Sequence, residues 1–124
     1  MTMASDIAGK CVVVTGAGTG IGRGVALKFA EYGADVALHY SHSDSGAKSA
    51  AAEIDQMGRR AIALQADFTD VDEVFRLARE AEEFLGRVDV LINNAGITTN
   101  IPYDKVKPEQ FDTLFNVNIK AMYF

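Results

Sequence analysis

The chain has 124 residues, 48 % of them hydrophobic, and a formal net charge of −5 from 12 basic and 17 acidic side chains. That length sets a single domain as the expectation, the apolar share excludes a disordered tail, and the acidic balance argues against nucleic acid or an anionic membrane as partner. The lone Cys11 excludes an internal disulfide framework and any Cys-x-x-Cys metal site. No apolar run approaches the roughly 18 residues of a membrane span, and Met1 to Lys10 lacks a secretory pattern, so a cytoplasmic protein is expected.

Two kinds of segment then alternate. Cys11 to Thr15 is a short β-branched run with glycines directly after it, the pattern of a strand buried on both faces. Ile21, Val25 and Phe29 recur at helical spacing with Ala26 and Ala30 beside them. Gly33 is placed to close that helix, because glycine takes the left-handed cap conformation without steric cost. Asp35 to Tyr40 reads as a second strand and Ser41 to Gly46 as a polar loop. Ala47, Ala50, Ala51, Ile54 and Met57 form the stripe of a helix ending at Gly58. Ala61 to Gln65 is the third strand. Val71, Val74, Phe75, Ala78, Ala81 and Leu85 mark an amphipathic helix closed by Gly86, and Val88 to Asn93 is the fourth strand. After a loop from Ala95 to Lys107, Pro108 suits a first helical position, and Phe111, Leu114, Phe115 and Met122 carry a last stripe.

The order β-α-β-α-β-α-β-α with short connections predicts an α/β fold: parallel strands, right-handed helical crossovers and helices on both faces. This is a Rossmann-type doubly wound sheet, and no linker divides it.

Thr15 to Gly22 (Thr-Gly-Ala-Gly-Thr-Gly-Ile-Gly) links the first strand to the first helix. Glycines there allow a sharp reversal, close approach of backbone to a pyrophosphate, and tight packing of helix on strand. The free N–H groups and dipole of the helix start favour an anion. The spacing is Gly16-x-x-x-Gly20-x-Gly22 rather than Gly-x-Gly-x-x-Gly, and the plain alternative is a flexible turn.

The end of the second strand separates NAD from NADP. An acid there would bond the ribose 2′-hydroxyl and repel a 2′-phosphate. The chain reads His39-Tyr40-Ser41-His42 instead; Asp35 lies at the wrong end of the strand, and Asp44 sits further along the loop, where it could fold back. Tyr40, Ser41 and His42 are therefore candidate cofactor contacts, leaning towards NADP with NAD possible. The alternative for His39, His42 and Asp44 is a solvated polar loop, and no metal site is expected.

Three further segments are specific: Asp67-Phe68-Thr69-Asp70 after the third strand, Asn93-Asn94-Ala95-Gly96 after the fourth, and Asn116-Val117-Asn118 in the last helix. With Thr15 to Gly22 they make the chain resemble the amino-terminal half of the short-chain dehydrogenase/reductase family. The resemblance implies that Gly16, Thr19, Gly20, Ile21 and Gly22 contact the cofactor pyrophosphate and ribose. It implies that Asp67 accepts from the adenine amino group, with the Phe68 backbone beside it. Asn94, Ala95 and Gly96 would pass along the nicotinamide-side ribose, while Asn93 steadies the strand. Asn118 matches a catalytic asparagine that holds a water in a proton relay; from pattern alone, an amide on the Phe111, Phe115, Met122 stripe could simply bond a neighbouring backbone group.

The family's serine, tyrosine and lysine find no match. Tyr103 and Lys107 have the Tyr-x-x-x-Lys spacing, but they precede Asn118 and are bracketed by Pro102 and Pro108, so a solvent-exposed loop is expected. The chain also stops at Phe124 inside an apolar stripe. The expectation is thus one incomplete dinucleotide-binding domain over residues 1–124, from an NAD(P)(H)-dependent oxidoreductase of carbonyls or secondary alcohols. It would be inactive by itself, and the parent would be a homo-oligomer, tetramer or dimer. The alternatives are a non-enzymatic nucleotide- or partner-binding half-Rossmann module and, less favoured by the Asn93–Gly96 and Asn118 motifs, another Rossmann enzyme such as a methyltransferase.

Overall fold

The computed structural model describes residues 6–98 and 100–124. Strands β1 (Cys11–Val14), β2 (Asp35–Tyr40), β3 (Ala61–Gln65) and β4 (Val90–Ile92) form one parallel sheet in the order β3-β2-β1-β4. Helices α1 (Gly20–Glu31), α2 (Asp44–Gln56) and α3 (Val71–Leu85) alternate with them. A short 3₁₀ turn, Tyr103–Lys105, precedes α4 (Pro108–Phe115). That helix runs through a π-helical turn, Asn116–Lys120, into a last turn, α5 (Ala121–Tyr123). This is the Rossmann-type arrangement expected, and its chain direction across the sheet reverses between β1 and β4.

Both sheet faces are covered. Val12, Val14, Val36 and Leu38 point to one side and pack on Ala26 and Ala30 of α1 and Ala50, Ala51 and Ile54 of α2. Cys11, Val13 and Ala37 point to the other, against Ala81 and Leu85 of α3. Alternate residues bury on opposite faces, which is why β1 is apolar throughout rather than alternating.

Several expectations change in detail. The buried face of α1 is Gly22, Ala26 and Ala30, one position on from the predicted stripe, and Ile21 is 79 % exposed. Small residues let α1 lie close to the sheet, so Val25 and Phe29 sit at its flank. Met57 and Phe75 are likewise exposed. The expected loop Ser41–Gly46 is only three residues long, because α2 begins at Asp44. Asp44 sits in the first turn, where a carboxylate suits the dipole, and pairs with Lys48 at 3.5 Å instead of folding back. Strand β4 is shorter than Val88 to Asn93, and side chains take part in the pairing at both ends, beside the backbone bond from Asp89 N–H to the Cys11 carbonyl. Cys11 N–H donates to Asp89 Oδ2 (2.8 Å) at one end, and Asn94 N–H donates to Thr15 Oγ1 (3.1 Å) at the other.

The edge of the sheet away from the strand C-termini is fastened by charge. The buried Asp35 carboxylate accepts from Arg60 N (2.9 Å) and Arg60 Nε (3.1 Å), and Arg59 stands 3.1 Å away. The same Arg60 guanidinium donates to the carbonyls of Phe84 and Leu85, at the C-terminus of α3, where a cation is favoured.

Candidate functional site

At the C-terminal ends of the strands, the turn after β1 and the loop after β4 separate and leave a crevice at the reversal point. The glycines of the turn are required by geometry. Gly16 has φ +64°, and a Cβ there would meet Ala95 Cα at 2.9 Å. A Cβ on Gly22 would collide with the Gly16 carbonyl oxygen, and one on Gly18 would stand 2.7 Å from Ser43. Gly20, at φ +57°, faces open space. Thr19 is the N-cap of α1 but its side chain makes no capping bond, so the first-turn amides of Gly20, Ile21 and Gly22 have no partner within the helix. Gly20 and Ile21 line the crevice mouth at the positive end of the helix dipole, and the Ile21 side chain is exposed there.

The opposite wall comes from the end of β4. Thr15 Oγ1 accepts from both Asn94 N (3.1 Å) and Ala95 N (3.0 Å), and Asn94 Nδ2 donates to the Gly16 carbonyl (3.1 Å). Asn94, rather than Asn93, therefore ties the sheet to the glycine turn; Asn93 is exposed and faces the groove beside α3. Ala95 and Gly96 line the crevice. Asn118 lies in the π-helical turn and grips the next residue of this wall. Its Oδ1 accepts from Ile97 N and its Nδ2 donates to Ile97 O, both at 2.8 Å. One Oδ1 lone pair and one Nδ2 hydrogen remain for a water.

The far end of the crevice is lined by Ser41, His42, Asp67, Phe68 and Thr69, with Tyr40 at the rim. Asp67 Oδ1 accepts from Thr69 N (2.9 Å) and Thr69 Oγ1 (2.7 Å). Those bonds, with the His42 charge, hold its carboxyl below the usual carboxylate range despite some desolvation, leaving an ionised acceptor facing outward. Among the described lining residues Asp67 is the one carboxylate, and no Lys or Arg joins it.

His39 lies in β2 as the strand reading had it, and it is 2 % exposed, which rules out the alternative of a solvated loop. Its Nδ1 accepts from Gly16 N (3.0 Å), its Nε2 lies 2.9 Å from Ala66 O, and its ring stacks on Phe68 at 4.0 Å. Only the length of the apolar run around it hinted at burial. Gly46 was missed as well: within α2, a Cβ on it would collide with the Gly18 carbonyl oxygen.

The sequence model of short chain dehydrogenases matches residues 10–124. The chain belongs to the short chain dehydrogenase family. It is 42 % identical over 119 residues to the hydroxynaphthalene reductase-like protein Arp2 of Metarhizium guizhouense, covering 96 % of this chain and 45 % of that protein. It is 43 % identical over 116 residues to an L-rhamnose 1-dehydrogenase (NAD(P)(+)) of a Sphingomonas species, covering 94 % and 46 %. A short chain dehydrogenase from Burkholderia cenocepacia, solved in complex with NADP, superposes with a TM-score of 0.92 at 39 % identity, over 94 % of this chain and 48 % of that one. The chain spans about half the length of the relatives it matches.

Within this family member, Tyr103 and Lys107 do not form a site. Tyr103 is 95 % exposed in the 3₁₀ turn, and the backbone at Val106 and Lys107 is extended, so the two share no helical face. Among the described residues no cluster of His, Cys, Asp and Glu is arranged for a metal, and no helix is long and apolar enough to cross a membrane.

Proposed function

We propose that the chain is the nucleotide-binding half of an NAD(P)(H)-dependent oxidoreductase acting on a carbonyl or secondary alcohol. The observation that carries this is the glycine cradle. The first turn of α1, uncapped by a side chain and opened by a bare Gly20, borders a crevice whose other wall is fastened to the turn through Thr15 and Asn94. The site fits an extended dinucleotide. Gly16, Thr19, Gly20, Ile21 and Gly22 would receive the pyrophosphate. Asp67 would accept from the adenine amino group beside Phe68, and Asn94, Ala95 and Gly96 would border the second ribose. When bound, the nicotinamide supplies or receives the hydride. The chain's own part is to orient that ring and screen one of its faces. Asn118 would fix the wall at Ile97 and position a water on its remaining polar sites.

Tyr40, Ser41 and His42 leave the ribose end free of carboxylate, apart from Asp67 at the adenine. This supports a preference for NADPH, as do the NADP and NADPH complexes of structural relatives 39 % and 37 % identical to this chain. Titrating the full-length protein with NADPH and with NADH, followed by nucleotide fluorescence, tests both parts. Tighter NADPH binding is expected. Equal or tighter NADH binding overturns the preference, and binding of neither overturns the nucleotide reading.

A further inference from the structure

The end of β2 fastens the glycine turn through one residue. The His39 ring nitrogen Nδ1 accepts from Gly16 N–H (3.0 Å), and the His39 carbonyl accepts from Ala17 N–H (2.7 Å). Two consecutive amides are thereby turned away from the crevice, which leaves the anion-facing role to the first turn of α1. Because Nδ1 is an acceptor, the proton of the neutral ring must sit on Nε2, where the Ala66 carbonyl lies 2.9 Å away. Phe68, stacked parallel on the ring, covers one face of the imidazole and also lines the crevice. Every polar atom of this buried ring is therefore spent on holding one tautomer.

We propose that His39 is a positioning residue for the nucleotide: as the neutral Nε2–H tautomer it sets the Gly16 turn for the pyrophosphate, and a proton on Nδ1 releases that turn. Protonation would set an N–H on Nδ1 against the N–H of Gly16, two donors with no acceptor between them. Burial opposes the charged ring and pushes its proton affinity below that of ordinary histidine, against a smaller opposing effect of the Ala66 bond, so the turn stays set at neutral pH. The charged groups around β2 are otherwise engaged. Arg23 of α1 pairs with Glu53 of α2, Arg76 of α3 pairs with Glu73 and Glu80, and Asp67 is bonded to Thr69. His42 lines the same crevice, beside Asp67.

This inference rests on the dinucleotide reading above. Its test uses the full-length protein, NADPH as probe, and two readouts. In the first, imidazole ¹⁵N spectra of the wild type, without and with NADPH, are followed from pH 8 to pH 5. The expected result is a neutral Nε2–H ring at pH 7 and a titration midpoint that falls further when NADPH is bound, since linkage is reciprocal. An Nδ1–H tautomer, or a midpoint unmoved or raised by NADPH, overturns the proposal. In the second, NADPH dissociation constants are measured at pH 7.5 and pH 5.5 for the wild type and for His39→Asn. The asparagine oxygen can accept from Gly16 N–H but does not titrate. The 2′-phosphate of NADPH titrates with both proteins and His42 is present in both, so the difference isolates His39. The wild type is expected to weaken more than His39→Asn over this range, by the factor that the free and bound midpoints of the first readout set. Equal weakening in both proteins, with tight binding at pH 7.5, overturns the positioning role alone. Failure of NADPH and NADH to bind the wild type at any pH overturns the nucleotide reading as well.

Discussion

Asp35 carries a buried negative charge with three donor groups around it, and its ionisation belongs to the fold rather than to the crevice. Burial pushes its carboxyl up, but the two Arg60 bonds and the Arg59 charge outweigh that and leave it below the usual carboxylate value. A carboxylate with a depressed folded-state pKa contributes stability that is present above the unfolded value and is lost as pH falls through the folded one. Asp35→Ala is therefore expected to lower the unfolding free energy by about 2 kcal/mol at pH 7, the partly wet guanidinium groups keeping the cost below that of a fully buried pair. The deficit should shrink below about pH 4. Urea midpoints of the two proteins at pH 7 and pH 3.5 check this; a deficit equal at both pH values contradicts it. Asn118 is a different case, since its amide works on a neighbour's backbone. Asn118→Ala frees the Ile97 N–H and C=O, and turnover of the full-length protein should fall well over ten-fold while NADPH affinity changes less than three-fold. That split is the signature of a wall moved near the reacting end. Unchanged turnover would leave the side chain a purely structural tether.

The contact between α1's approach and α2 shows how elements read differently from residues. Gly46 presses its bare Cα side on the Gly18 carbonyl, so Gly46→Ala must push backbone from backbone. A loss of about 2–3 kcal/mol is expected. Gly24 is the control: it lies inside α1 at an ordinary helical φ with nothing within 4 Å of an added Cβ, so Gly24→Ala should add about 0.5–1 kcal/mol. Thermal melts of the two variants should move in opposite directions; shifts of the same sign would refute the contact. This pair also marks the limit of sequence reading. The glycines of the turn were legible because they sit at fixed offsets between a strand and a helix. Gly46 was read as loop, since its need for no side chain arises from a residue 28 positions away. The role of His39, whose strand was read correctly, was hidden for the same reason: its partners Gly16, Ala66 and Phe68 come from other segments. β1 and β2 were legible because burial on both faces forces continuous apolar runs. The phase of α1 was not, because the close fit to the sheet selects the smallest residues, and these give the weakest hydrophobic signal.

At the scale of the molecule, one side is unlike the rest. β4 pairs with β1 alone among the described residues, and Leu91, Phe111, Phe115, Ile119, Met122 and Phe124 are all about half exposed. An unpaired parallel edge beside so much apolar surface promotes association. Expressed as these 124 residues only, the chain is expected to sediment as concentration-dependent assemblies and to reduce no carbonyl substrate above background. A stable monomer at high concentration, or reproducible turnover, would contradict those two expectations. The motif order pointed to the family. The extent of the apolar side needed the sheet order, because a parallel edge strand and a central one have the same composition.

The π-helical turn at Asn116–Lys120 acts as a phase adjuster. Upstream of it, α4 buries no residue; immediately downstream, Ala121 joins Phe68, Val74 and Leu77 in the core. One extra residue in a helical turn rotates everything beyond it by roughly 100°. The same insertion that presents Asn118 to Ile97 thus aims Ala121 at the sheet. Deleting one residue here would restore an ordinary helix and at the same time send that face to solvent, so this irregular turn is the joint on which the crevice wall and the packing beneath it are both timed.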